Sequence, residues 1–158
     1  MACCSPRLRA AVAAVAIVGL VALAPASVVR ASDVGQIKVS KGAVHIERGG
    51  QKLPGQVGTR LQQSDVVVTG ADGSAGIVFM DDSLLSLGPN SVLGIDRFEF
   101  DSTTQRGAFD SSLKKGTLAA VSGRITKESP GAMRVRTPAA VLGVRGTEFV
   151  VRSSESAE

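Results

Sequence analysis

Turn-forming clusters recur through residues 35–151 about every 8–12 residues, and the stretches between them alternate apolar with polar side chains. That spacing leaves little room for helices and predicts a chain of short strands. Ile37 and Val39 alternate with Gln36, Lys38 and Ser40 before Gly42. Val44 and Ile46 alternate with His45 and Glu47 before Gly49-Gly50. A period of two puts the apolar set on one face of a half-buried strand. Residues 66–68 read as a short buried run and residues 69–73 as a turn. Residues 77–80 read as a strand ended by Asp81-Asp82-Ser83, and Leu85 and Leu87 belong to the next strand before Gly88-Pro89-Asn90. Residues 92–100 continue in strand-forming residues. The polar segment 101–112 reads as a surface loop or hairpin tip. Residues 113–121 resume as a strand broken at Gly116. After Ser129-Pro130-Gly131, Met133, Val135 and Thr137 face one side and Arg134 and Arg136 the other. Residues 144–151 form the last strand, and residues 152–158 a disordered tail. The nearest approach to a helix is 137–142, with Pro138 at a first helical position and space for one turn before Gly143. The expected fold is all-β: short stacked strands with Gly-rich turns, solenoid-like or a sandwich, over residues 35–151.

The first thirty residues read differently. Arg7 and Arg9 precede an apolar run over residues 10–24, and small residues then offer a cut after Ala26 or, alternatively, after Ala31. Basic, apolar and small-residue zones in that order predict a secretory signal peptide, 1–26. The alternative is an uncleaved membrane anchor, since the apolar stretch approaches the roughly 20 residues that a spanning helix needs. Cleavage leaves a chain of single-domain length, exported to the periplasm or beyond. Both cysteines, Cys3 and Cys4, leave with the leader, so no disulfide, thiol nucleophile or thiolate metal site is expected. The 18 basic and 14 acidic residues become 16 against 14 once Arg7 and Arg9 are removed. With no run of like charge, no Trp and no Tyr, the composition argues against a nucleic-acid partner. The missing Trp and Tyr count equally against a glycan-stacking platform.

Candidate chemistry is thin. His45 is the only histidine, and a metal site needs several convergent ligands. Asp81 and Asp82 are adjacent, so a strand would point them to opposite faces; turn bonding to nearby amides is the simpler role. Asp72-Gly73-Ser74 also reads as a turn, and no serine has a patterned histidine partner. Gly143-Val144-Arg145-Gly146-Thr147 lacks the spacing of a phosphate loop. Arg134, Arg136 and Arg145 admit two readings: a clamp for an acidic ligand, or a solvated face that blunts edge pairing. No catalytic residue, metal or cofactor is expected, and hence no enzyme.

Four blocks in order carry a resemblance. They are VGQIKVSKGAVHIERGG from Val34, LQQSDVVVTGADGSAGIVFMDDSLLSLGPNSVLGI from Leu61, LKKGTLAAVSG from Leu113 and VRTPAAVLGVRGTEFVV from Val135. Together they resemble the FecR domain, named for the periplasmic part of an iron-dicitrate signalling regulator. The matching motif residues are Asp65, Thr69, Gly70, Gly73, Asp81, Ser83, Ser91, Gly116, Thr137, Pro138, Arg145, Gly146, Thr147 and Phe149. The resemblance implies structural roles for them: corners for the glycines, turn caps for Asp and Ser. Signalling members carry a cytoplasmic anti-sigma segment, a membrane helix and a receptor-binding subdomain. This chain is more similar to stand-alone exported members. The implied function is that of a non-enzymatic cell-envelope interaction or scaffold module with a protein partner. Alternatives are a component of transmembrane signalling and an envelope glycan-binding module. Membrane contact is expected only through the leader, if it is uncleaved. The closing block 143–149 is expected to lock the fold through glycine corners and a buried Phe149.

Overall fold

The computed structural model of the chain describes residues 32–146 and 148–154. The leader assigned to residues 1–26 or 1–31, and the last residues of the tail, lie outside the described residues. In chain order the elements are β1 (Asp33–Lys41), β2 (Val44–Arg48), β3 (Gln51–Pro54), β4 (Arg60–Gln62), β5 (Val66–Thr69), β6 (Ser74–Phe79) and β7 (Leu84–Leu87). They continue with β8 (Val92–Phe100), β9 (Gly107–Val121), α1 (Arg124–Glu128), β10 (Met133–Arg136), β11 (Val141–Val144) and β12 (Glu148–Ser153). The expectation of an all-β chain is met. The strands form one curled sheet, a half-barrel, in the order β3-β2-β5-β8-β9-β7-β6-β1-β4, with β10 and β12 added on β9 and β11 on β10. Every pairing is antiparallel except β10 against β9.

The curl comes from β9. Its first half pairs with β8 and β10, and its second half with β7 and β12. Phe109, Ser111 and Leu113 point into the core along the first half, but Leu118 and Ala120 do so along the second. The inward set thus changes from odd to even positions between residues 113 and 118. Register against β8 slips by one residue at Lys114, and Gly116 follows at φ +96°. A bulge followed by a left-handed glycine bends one strand around a corner and so lets two half-sheets share it. Phe79, Phe98 and Phe109 meet between the halves, with ring centroids 4.6–5.5 Å apart, in one apolar core.

Several expectations change. Residues 101–112 are not one loop: β8 runs to Phe100 and β9 begins at Gly107, leaving only a short tip. The polar residues misled because Asp110 and Ser112 occupy the outer positions of a strand whose inner positions are Phe109, Ser111 and Leu113. Val39 alternates correctly with its neighbours yet is 46% exposed, because β1 slips register between Ile37 and Val39 and flips the face. A helical turn forms at Arg124–Glu128, not at 137–142, and buries Ile125. A single turn shows no 3.6-residue repeat for the sequence to reveal. The closing block is two strands, β11 and β12, and β12 extends to Ser153, inside the stretch read as tail.

Candidate functional site

The motif residues gather mainly into three polar knots that fasten corners of the sheet. The first joins the β1–β2, β5–β6 and β7–β8 turns to the bend in β9. Gly70 N–H donates to the Ala43 carbonyl at 2.8 Å, Asn90 N–H to the Gly70 carbonyl at 2.9 Å, and Gly88 N–H to the Thr117 carbonyl at 2.9 Å. Thr69 Oγ1 donates to the Gly88 carbonyl at 2.7 Å and accepts Ser91 N–H at 2.9 Å. Ser91 Oγ accepts Thr117 N–H at 2.9 Å. A Cβ on Gly73 would lie 2.4 Å from the Ala43 carbonyl oxygen, and one on Gly116 only 2.1 Å from Ser91 Oγ. Thr69, Gly70, Gly73, Ser91 and Gly116 therefore share one seam, in which the buried hydroxyls are satisfied by backbone.

The second knot lies at the β6–β7 turn. Ser83 Oγ donates to Asp81 Oδ2 at 2.6 Å, and Ser83 N–H donates to Asp81 Oδ1 at 3.1 Å. Gly123 N–H in turn donates to Ser83 Oγ at 2.9 Å, and Arg124 N–H to the Asp81 carbonyl at 2.8 Å. Asp81 and Ser83 are both buried. Asp82, in the left-handed region at φ +64°, pairs outward with Arg124 at 2.5 Å. The two acids thus diverge, and Asp81 anchors the start of α1.

The third knot centres on Asp65, 1% exposed. Arg48 grips it with both ends of its fork, Nε to Oδ1 at 2.8 Å and Nη2 to Oδ2 at 2.7 Å, while Gln62 N–H donates to Oδ2 at 2.8 Å. The bond to Asp65 holds the Arg48 guanidinium above its ordinary value, against the opposing effect of burial. Arg48 Nη2 also reaches the Arg60 carbonyl at 3.0 Å. Replacing Arg48 by Ala would leave a buried carboxylate with one amide donor. A loss of about 2–3 kcal/mol in equilibrium urea unfolding is expected, and Arg48→Lys, lacking the planar fork, should recover only part of it. A stability equal to wild type would show that Asp65 is not held by this pair.

The remaining motif residues stand apart. Thr137 closes the β10–β11 hairpin: its Oγ1 accepts Ala140 N–H at 3.0 Å, and its own N–H donates to the Ala140 carbonyl at 2.7 Å, with Pro138 inside that turn. Gly146 lies between β11 and β12 at φ +67°. Arg145 is exposed and makes no hydrogen bond or ion pair with the described residues, so it straps nothing among them. Thr147 lies outside the described residues. Phe149 is only partly buried at the margin of the core, and Gly143 sits within β11 with open space where a Cβ would go. Both depart from the expected lock. β12 carries Phe149 at the edge of the half-barrel, and β11 needs no corner at Gly143.

Sequence reasoning missed Arg48, Thr117 and Gly123. Arg48 gives no local signal because its partner is 17 residues away; Thr117 is betrayed only by the glycine before it. The knots also limit the chemistry. Each hydroxyl and carboxylate described in them is bonded within the frame, and none is paired with a histidine. His45 sits half-exposed on β2, 3.7 Å from Glu47. Among the described residues, no cluster of three His, Cys, Asp or Glu could hold a metal, and no helix is long and apolar enough to cross a membrane. A surface cleft of about 810 Å³ lies between Asp33, Met80, Phe98, Phe100, Asp101 and Arg106. Its acids are already engaged. Arg60 bonds Asp33 and lowers its pKa, and the amides of Thr103 and Thr104 lower that of Asp101.

No curated protein and no solved structure matches the chain. The family model described as FecR protein matches residues 65–158, more than half of the sequence. The matched part begins at Asp65 and so holds all three knots' motif residues, while β1 and β4 complete the half-barrel by pairing with β6 and with each other. The chain belongs to the FecR family, and its fold is built around a signalling- and regulation-related domain.

Proposed function

We propose that this chain is a non-enzymatic, exported FecR-domain protein of the bacterial cell envelope that works as an interaction module. The observation that carries the reading is the inward use of the motif. Asp65, Thr69, Asp81, Ser83 and Ser91 are all buried and spent on fastening corners. A frame of this kind supports surfaces, and function then falls to exposed strands and edges. The basic, apolar and small-residue order of residues 7–31 supports export. Family membership favours a second, narrower reading in which the bound partner belongs to a transmembrane signalling system.

The test is expression of the full sequence with a C-terminal tag and a photo-crosslinking residue placed in turn at Val57, Val141 and Val150, all more than 60% exposed. The expected result is a periplasmic product beginning at Ser27 or Ser32, with a discrete protein adduct from at least one position. Intact Met1 in the cytoplasmic fraction would overturn export, and the absence of any adduct would overturn the interaction reading.

A further inference from the structure

The sheet has four unpaired margins among the described residues: β3, β4, β11 and β12. Three are guarded in ordinary ways. β3 carries Lys52 and ends in Pro54, β4 is three residues long, and β12 carries Glu148 and Arg152. Charge, proline and brevity all discourage a passing strand. β11, Val-Leu-Gly-Val, is also short at four residues but carries neither charge nor proline. Among the described residues it pairs only with β10, so half of its backbone N–H and C=O groups face away from the sheet. Val141 is 64% exposed and Leu142 37%.

The side chains around this edge specify what would suit it. Register places Gly143 beside Arg134 and Val141 beside Arg136 on the outer face. Both arginines are exposed and, like Arg145 at the end of β11, make no ion pair with the described residues. Asp110 stands beside Arg134 on β9 without closing one. Gly143 has no side chain and nothing within 4 Å of where one would begin. An acid on a strand laid against β11, two strand spacings or about 10 Å from β10, therefore has a clear path across Gly143 to the Arg134 fork. Leu142 points to the other face, where with Val144, Val151 and the partly buried Phe149 it lines a small pocket whose rim also takes in Arg145 and Val150. A strand alternating acidic and apolar residues meets both faces at once.

We propose that β11 is a strand-addition site for a partner polypeptide segment that is extended, acidic on one face and apolar on the other. This rests on the reading of the chain as an interaction module and names the partner's chemistry. A second copy of the chain is the poorer occupant, since pairing β11 with itself would bring two arginine-bordered edges together.

The test uses the purified full chain and three synthetic probes: a nine-residue peptide alternating glutamate and valine, its lysine-for-glutamate counterpart, and an N-methylated glutamate version unable to pair. The glutamate peptide should bind at least about tenfold tighter than either of the others and lose affinity with salt. It should also slow amide exchange within 141–144. Arg134→Gln with Arg136→Gln should weaken binding about tenfold or more without lowering Tm. Equal binding by the lysine peptide, or protection at β3, β4 or β12 instead, would overturn the proposal. So would concentration-dependent protection of β11 in the absence of peptide, which would mark a second copy. If crosslinked adducts persist at Val57 or Val150 while no peptide binds, the interaction reading stands and this edge falls. If no adduct forms anywhere yet the peptide binds as described, the edge stands and the broader reading falls.

Discussion

Phe109→Ala should lower the stability of the chain by about 3–5 kcal/mol, the usual cost of emptying a buried aromatic site. Phe109 is fully buried, its ring centroid lies 4.6 Å from that of Phe79 and 5.4 Å from that of Phe98, and it faces Phe98 across the β8–β9 ladder. It also stands level with Met133 on β10, so it touches the one parallel pairing in the sheet. Removing it opens a void between the two half-sheets that backbone collapse cannot easily fill, because the knots hold the corners apart. A domain has roughly 5–15 kcal/mol in total, so the alanine variant would be near the limit of folding. Phe109→Leu, keeping most of the volume, should cost less than about 1.5 kcal/mol. Phe149→Ala gives the contrast: its side chain is only partly buried, and about 1–2 kcal/mol is expected. Urea titrations with an unchanged m-value would check the order. If Phe149→Ala proved costlier than Phe109→Ala, the core would have to be moved to the β12 margin.

That contrast shows what was and was not legible in the residues. Period-two alternation and turn chemistry revealed an all-β chain, because both act within a few neighbouring residues. Which aromatic lies at the centre depends on which strands meet, and that is set by pairings many residues apart. Phe109 was hidden in a polar stretch because Asp110 and Ser112 flank it on the outer face, while Phe149 sits in an apolar run that proved to be a margin. Val39 shows the complementary failure: the alternation was read correctly, but one bulge at Lys38 turned it outward. At the candidate site, the turn-capping residues Thr69, Asp81, Ser83 and Ser91 were recognisable by type. Their convergence into seams, and the reach of Arg48 to Asp65, were not. The β11 edge could not be seen at all, since a strand becomes an edge only by what fails to pair with it.

Gly116→Ala should be the most damaging substitution at a corner, at roughly 3–5 kcal/mol. Two separate costs combine. At φ +96° any Cβ strains the backbone, typically by about 1–3 kcal/mol. The new methyl would also lie 2.1 Å from Ser91 Oγ and 2.4 Å from Ser91 Cα. Relief requires moving Ser91, whose hydroxyl accepts Thr117 N–H and whose own N–H bonds Thr69 Oγ1. Breaking either bond adds about 1–3 kcal/mol. Pairing the change with Ser91→Gly should not rescue it, because the added methyl still collides with the backbone at position 91 and the hydroxyl is lost as well. Gly143→Ala, one strand away from any corner and with open space around the added methyl, should stay within about 0.5 kcal/mol of wild type. Thermal and urea unfolding of the two alanine variants would separate a glycine that bends β9 from one that merely leaves an edge bare. A Gly116→Ala protein as stable as Gly143→Ala would mean that β9 does not turn at residue 116, and the division of the sheet into two halves sharing that strand would have to be abandoned.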